Sequence, residues 1–506
     1  MRRSRIAVVA ATVGVLAVAS LAAPAGGAET AGASASADGS SRAGPPNVVL
    51  VVMDDMRLDD VAWMPRTVRR VAVAGARYRN YYTPMALCCP ARASILRGQY
   101  PHNTGIVTNA EPDGGYQGSR NIDDSTIATW LERPYTTGYV GKYFNGYEGP
   151  RQRYVPPGWD DWMGTIDTYG YVNTVTNDNG RVVANKGTNS PEVFASQAKS
   201  FITEQSATGS PFFLHLSFVT PHNGGPHRDG DHGLPSPFVP RRDRGTYDGP
   251  EHPTGPAYDE REIEDKTGPV ARLPRLSDRQ EWEIAVKFEQ RRESLASADR
   301  AMGRVLDKLK ATGEMRDTYV IFTSDNGFVL GEHRLEDGKR QPYEPASHLP
   351  LFIRGPGIPS GRVWKGPVGT QDIAPTILDI AGVGPPAGVD LDGHSVLPTA
   401  GRVDDDRERA IVLEGAAVPV DAENGGRIKY AAPQTIAETD WIYRGLATER
   451  WKYVEWEQLG TVELYDLAAD PHEVRNLSED PAYAKRRAEL AARLAQLRDC
   501  AGVTCE

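Results

Sequence analysis

The chain has 506 residues, 40% hydrophobic and 25% charged, the composition of a globular enzyme too long for a single core. Its formal net charge of -10 excludes a nucleic-acid-binding protein, whose partner calls for a basic face. Any attraction for an anionic substrate must therefore come from a local cationic site.

Arg2, Arg3 and Arg5 precede an apolar run from Ile6 to Ala23, and small residues continue to Ala28. Residues 1–28 read as a secretory signal peptide, so a secreted, extracellular protein is expected. Residues 29–45, mostly Ala, Gly and Ser, read as a flexible leader. No later stretch is long and apolar enough to span a bilayer, so stable membrane insertion is not expected.

Order begins at Pro46. The run Asn47 to Met53 is unbroken in its apolar character, as in a strand buried on both faces of a parallel sheet, and it ends in Asp54-Asp55. A strand-like segment from Thr137 closes on Gly141-Lys142. The run Pro211 to Val219 ends in Thr220-Pro221-His222, and Thr318 to Thr323 ends in Ser324-Asp325-Asn326-Gly327. Leu295, Ala298, Met302, Val305, Leu306 and Leu309 recur at the spacing of one buried helix face. Gly224 to Pro274 has no sustained period and reads as a long excursion over the active-site face. A further strand spans Leu349 to Arg354, and a helix follows over Ile373 to Ala381.

Strands alternating with helices indicate an α/β fold, a large mostly parallel sheet flanked by helices, with ligands at the carboxyl ends of the strands. After Pro398 the composition shifts to charged residues and aromatic strands such as Trp451 to Trp456, closing in a helix with Leu490, Leu494 and Leu497. The expected division is a catalytic domain over 46–400 and a smaller α+β domain over 401–506.

Of the four cysteines, Cys500 and Cys505 are close enough to close a small terminal loop and read as a disulfide. A bridge between the neighbours Cys88 and Cys89 would be strained. Asp54, Asp55, Asp325 and Asn326 offer oxygen ligands at two strand ends, a set suited to a hard cation, calcium before magnesium. Lys142, Lys339 and His222 supply cationic or proton-transfer groups. His227, Asp229, Asp231 and His232 could form a second metal cluster but read better as a polar loop at the substrate entrance.

The most specific run is Cys88-Cys89-Pro90-Ala91-Arg92. Its C-x-P-x-R pattern resembles the signature of the sulfatase family, in which the first cysteine is oxidised after synthesis to formylglycine (3-oxoalanine). Asp54-Asp55, Gly141-Lys142, Pro221-His222, Asp325-Asn326-Gly327 and Gly338-Lys339 stand in the family's order, and Thr370 to Asp379 and Leu464 to Leu467 look like its later landmarks. Within the family the look is nearest to N-acetylglucosamine-6-sulfatases, through Tyr100 to Asn103, Gly141 to Asn145 and Tyr443-Arg444-Gly445.

The resemblance implies an alkaline-phosphatase-like fold and a sulfuric ester hydrolase acting on a sulfated small molecule or glycan. It implies that a formylglycine-generating enzyme acts on Cys88 during maturation. A hydrated aldehyde there attacks sulfur with one hydroxyl, and deprotonation of the other expels sulfate. It further implies one calcium ion on Asp54, Asp55, Asp325, Asn326 and the modified Cys88. Arg92, Lys142, His222 and Lys339 would hold sulfate or assist proton transfer. Arylsulfatases commonly place a histidine two residues after the first of these lysines; here Phe144 stands there, and Asn145 or His333 is the expected substitute at the substrate. Three alternatives remain open: a phosphonate monoester or phosphodiester hydrolase of the same superfamily, an arylsulfatase of broad specificity, and a sulfated-glycan binder with a degenerate site.

Overall fold

The computed structural model describes residues 44–131, 134–149, 152–224, 233–397, 408–416 and 441–505. The expected signal peptide and leader, and the His227 to His232 group, lie outside the described residues. Among the described residues, no helix is long and apolar enough to cross a membrane.

The main sheet is built from β1 (Asn47–Asp54), β2 (Ala76–Tyr82), β3 (Thr136–Gly141), β4 (Asp161–Thr165), β5 (Val175–Asp178) and β6 (Arg181–Ala184). It continues with β7 (Phe212–Pro221), β8 (Thr318–Ser324), β9 (His348–Leu349), β10 (Phe352–Arg354) and β11 (Arg362–Gly369). The order is β11-β2-β10-β8-β1-β7-β3-β4-β5-β6, with β9 also paired to β2. The central strands β8, β1, β7, β3 and β4 are mutually parallel. β10 runs antiparallel between β2 and β8.

Every residue of β1 is buried. Val48, Leu50 and Val52 enter one core cluster, while Val49, Val51 and Met53 enter the other. This period of two with both faces apolar is why the run shows no polar alternation. On the first face pack α1 (Cys88–Arg97) and a later helix over Ile373–Ala381. On the second pack α2 (Ser190–Thr208) and α3 (Asp278–Ala311), the latter through Leu295, Ala298, Met302, Val305, Leu306 and Leu309. α3 is longer than its apolar spacing suggests. Its first turns are polar and begin at a capping box, with Ser277 accepting from the Gln280 N–H.

The strand expected over Leu349 to Arg354 is two short strands. Pro350 has no N–H to donate, and the Leu351 carbonyl instead accepts from Tyr78 N–H at 3.0 Å. In the excursion after β7, the described part holds only short 3-10 turns and isolated bridges.

A separate four-stranded antiparallel sheet contains β12 (Ile411–Ala416), β13 (Trp441–Ala447), β14 (Trp451–Trp456) and β15 (Thr461–Asp466). Helix Ala484–Leu497 covers it through Leu490, Leu494 and Leu497. Cys500 and Cys505 form the expected disulfide.

Candidate active site

The ends of β1, β3, β7 and β8 meet the first turn of α1 at one buried group. Cys88 opens α1, where the unpaired N–H groups of the first turn favour negative charge. Its Sγ lies 3.6 Å from Asp54 Oδ1 and accepts from Lys339 Nζ at 2.8 Å. Lys339 also donates to Asp55 Oδ1 at 2.5 Å, and Lys142 donates to Asp54 Oδ2 at 2.6 Å. One ligand atom each from Asp54, Asp55, Cys88 and His222 lies within 4.8 Å of the others.

Backbone geometry fixes these positions. Gly141, at φ 113°, lets β3 turn so that Lys142 N–H donates to the Ser217 carbonyl at 3.0 Å. A Cβ at Gly141 would stand 1.9 Å from that carbonyl oxygen, so no other residue fits. Asp55 adopts φ 62° and turns its N–H toward Asp325 Oδ1 at 3.2 Å. Its own carbonyl accepts from Arg291 of α3, a contact with no signature in the sequence.

Arg92 is held from several sides. Its Nε donates to Asp325 Oδ2 at 2.9 Å, while Nη1 donates to Ser217 Oγ at 2.7 Å and to the Lys142 carbonyl at 2.9 Å. The Tyr139 hydroxyl donates to that same carbonyl. Arg92 Nη2 lies 2.9 Å from Asp325 Oδ2 and 3.9 Å from Asp54 Oδ1.

His222 donates from Nδ1 to the Asn223 carbonyl, 2.6 Å away, leaving Nε2 toward Asp55 Oδ2 at 3.5 Å. Its ring stacks on Tyr169 at 4.4 Å and 14°. Tyr169 also lies beneath Lys142 Nζ, 5.0 Å from its ring, and its hydroxyl accepts from Asn145 Nδ2 at 2.7 Å. Tyr169 thus touches three of the residues nominated from sequence. It escaped notice because Ile166 to Tyr169 carries no motif.

The electrostatics follow from burial and crowding. Burial alone would raise Asp54, but Lys142, His222 and Arg92 outweigh it and hold the carboxyl well below its usual range. Asp55 is likewise lowered, Lys339 and His222 overcoming burial. Asp325 goes the other way: burial, then the Asp54 charge, push it up to about 6. Burial raises the Cys88 thiol to about 11 against the pull of Lys142 and Lys339.

The donors fit a hard cation. Three carboxylates crowd together here, and the Oδ1 of Asn326 is buried with no hydrogen-bond partner while its Nδ2 donates to Asp55 Oδ1 at 2.6 Å. An unpartnered amide oxygen beside buried carboxylates is what a calcium- or magnesium-sized ion would satisfy.

Two nominated substrate contacts differ in placement. Asn145 sits at the edge of the group through Tyr169, with its Oδ1 buried and unpartnered. His333 does not join it: Nδ1 bonds Glu260 Oε2 at 2.6 Å, and the ring packs on Tyr343 at 4.3 Å. Its backbone, at φ 53°, turns within the Gly331 to Leu335 loop, whose sequence does not specify which way the imidazole faces. Phe144 is a buried core residue. Cys89 is a free, buried cysteine; its N–H donates to Asn109 Oδ1 at 2.9 Å and its sulfur accepts from Asn145 N–H at 3.4 Å. Its part is to join α1 to the loop after β3.

Comparison with known proteins matches residues 46–383 to the family described as Sulfatase and 429–500 to N-sulphoglucosamine sulphohydrolase, C-terminal. The N-acetylglucosamine-6-sulfatase of Capra hircus is 31% identical over 502 residues, covering 93% of this chain and 86% of the goat protein. The extracellular sulfatase SULF-1 homolog of Drosophila melanogaster is 34% identical over 368 residues, 71% of this chain, which spans only 32% of that protein's length. Among solved structures, a protein bound to its substrate D-glucosamine-2-N,6-O-disulfate superposes with a TM-score of 0.63 at 22% identity, covering 89% of this chain and 97% of that one. A phosphonate monoester hydrolase from Silicibacter pomeroyi does so equally, with a TM-score of 0.63 at 24% identity, covering 90% and 96%.

Proposed function

The chain belongs to the sulfatase family and is a sulfuric ester hydrolase; from this we propose that it is a secreted enzyme removing sulfate from a sugar such as 6-sulfated N-acetylglucosamine. The observation that carries the reading is the buried Cys88, with Lys339, Lys142 and Arg92 converging around it and Asp54. The goat relative supports the sugar, by name and over most of its length. The Drosophila relative's extracellular description supports secretion. We take residues 46–400 as the catalytic part and 401–506 as the smaller one.

In this reading a formylglycine-generating enzyme converts Cys88, so that its sulfur marks where the oxygen of a hydrated aldehyde stands. One hydroxyl of that hydrate attacks sulfur and displaces the sugar's ester oxygen, which leaves as the alcohol. Deprotonation of the other hydroxyl then re-forms the carbonyl, breaking the C–O bond to the first oxygen so that it departs with sulfate. Asp54, Asp55, Asp325 and Asn326 would hold a calcium ion, which supplies positive charge favouring an ionised nucleophile.

The chain's own groups do the rest. Lys142 and Lys339 bring fixed positive charge to the sulfate oxygens in a dry site, where no reorganisation is needed as charge develops. Arg92, bound to Asp325, opposes the burial that raises that carboxyl, and each side chain orients the other. Nδ1 of His222 is fixed by the Asn223 carbonyl, so its Nε2 is the atom available to exchange a proton with the ester oxygen. Asn145, with Tyr169, lines the side from which the sugar enters.

The test is parallel turnover of 6-sulfated N-acetylglucosamine, an aryl sulfate and an aryl phosphodiester. Faster cleavage of the sulfated sugar supports the proposal. Faster phosphodiester turnover would assign the chain to the phosphonate monoester hydrolase-like activity instead.

A further inference from the structure

Away from the catalytic group, an open pocket of about 380 Å³ is lined by Arg66, Arg69, Arg70, Arg300, Gly303, Arg304 and Asp307. For a chain of net charge -10 this concentration of arginine is unexpected. The bland account is a lattice of surface ion pairs. Part of the pocket obeys it: Arg300 binds Asp243 in two-pronged fashion at 2.8 and 2.6 Å, Arg304 pairs with Glu192, and Arg70 reaches Asp307 at 2.8 Å.

The remainder does not. Asp299, nearest to Arg66, is buried and already accepts from the Thr67 N–H and hydroxyl and from the Arg66 N–H, so the half-exposed Arg66 guanidinium adds only a long bond to it, at 3.4 Å. Arg69, exposed, has no ion-pair or hydrogen-bond partner among the described residues. Arg300 Nε is buried with no partner. Behind the pocket Arg354 donates to the Arg70 carbonyl at 2.9 Å; burial first, then the charge of Arg70, lowers its affinity for its proton. Positive charge is thus in excess, and the paired arginines act as fixed walls around Arg69 and the weakly held Arg66.

We propose that this pocket docks sulfate and carboxylate groups of a glycan chain extending from the sugar at the catalytic site. The proposal rests on the reading of a sulfated glycan as substrate. Three features favour that occupant. Arginine, with no lysine in the lining, matches the planar, two-oxygen edge of sulfate and carboxylate groups. The pocket is concave, which suits groups projecting from a chain more than a flat layer of lipid headgroups. It also lies along α3 from the site: Arg291 contacts Asp55, and Arg300 and Arg304 follow at roughly 14–20 Å further along the helix axis. A polyanion repelled by an acidic body would be held where the body is locally basic.

The experiment compares the full-length protein with an Arg66→Glu/Arg69→Glu variant, both positions exposed, and with Arg66→Lys/Arg69→Lys, which keeps the charge. Dissociation constants are measured for a heparin octasaccharide, for inorganic sulfate and for phosphatidylserine vesicles, alongside kcat/KM on an aryl sulfate. The glutamate variant is expected to bind the octasaccharide about tenfold or more weakly, with the lysine variant between. Aryl sulfate kcat/KM should stay within about twofold. Unchanged octasaccharide affinity overturns the proposal, as does a loss seen only with vesicles or equally with inorganic sulfate. If the parent protein fails to cleave 6-sulfated N-acetylglucosamine, the functional reading fails by itself, while the octasaccharide comparison still decides the pocket.

Discussion

Lys339 Nζ lies 2.8 Å from Cys88 Sγ, and the same ammonium reaches Asp55 Oδ1 at 2.5 Å. One buried cation therefore joins Cys88, the proposed nucleophile position, to Asp55, a carboxylate of the proposed cation site. Lys339→Met should lower kcat on an aryl sulfate by about 10²–10⁴-fold, since a preorganised charge at the reacting group is lost. Lys339→Arg should not restore it, because a planar guanidinium cannot occupy the same point between sulfur and carboxylate. Steady-state kinetics check this; a Met variant within tenfold of the parent contradicts it.

The Gly141 turn places Lys142. Gly141→Ala would drive a Cβ to 1.9 Å from the Ser217 carbonyl oxygen at a φ of 113°. The Lys142 N–H to Ser217 bond would break, costing about 2–4 kcal/mol of stability. Denaturant unfolding should show that loss, and kcat should fall with it as Lys142 moves off Asp54.

Removal of divalent metal by a chelator should abolish activity and lower Tm, because Asp54, Asp55 and Asp325 are left as crowded carboxylates. Calcium should restore both, with Tm rising with its concentration as RT ln(1 + [Ca]/Kd). Magnesium should restore less. A Tm indifferent to chelator and to calcium would remove the cation from the account.

His102 ties the segment after α1 to the small sheet: Nδ1 bonds Glu414 Oε1 at 2.5 Å and Nε2 bonds the Cys500 carbonyl at 2.9 Å. Burial opposes its charge, but the Glu414 bond and charge prevail and raise it to about 9. A raised folded-state value means that the stabilisation is complete below about pH 6.5 and is lost as pH rises through about 9. His102→Gln should flatten stability between those values, measured by unfolding at pH 6, 7.5 and 9. An unchanged slope contradicts the assignment.

How much of this is legible in the chain depends on the physical constraint behind each feature. A strand buried on both faces must be an unbroken apolar run, so β1, β7 and β8 announce themselves, and the first polar pair after each marks the site. Asp54-Asp55, His222 and Asp325-Asn326 are found that way, and Lys142 at the end of the shorter β3. The disulfide is legible because two cysteines five positions apart near the end of the chain leave few alternatives. Long-range contacts are not legible. Arg291 reaches the Asp55 carbonyl from the middle of α3, and Tyr169 arrives from a segment without periodicity. His333 shows the opposite error: residue type and loop position suit a proton donor, yet Glu260 takes its imidazole. A loop's sequence gives residue types, while the partner across the fold decides direction. Cys89 has a place only once Asn109 and Asn145 are seen around it.

The central claim is that position 88 does not act as a thiol. Trypsin releases it in the peptide Asn80 to Arg92, flanked by Arg79 and Arg92. Mass spectrometry of active, secreted protein should find this peptide about 18 Da lighter than the all-cysteine form, the change from thiol to aldehyde. The unmodified mass in fully active protein would contradict the account.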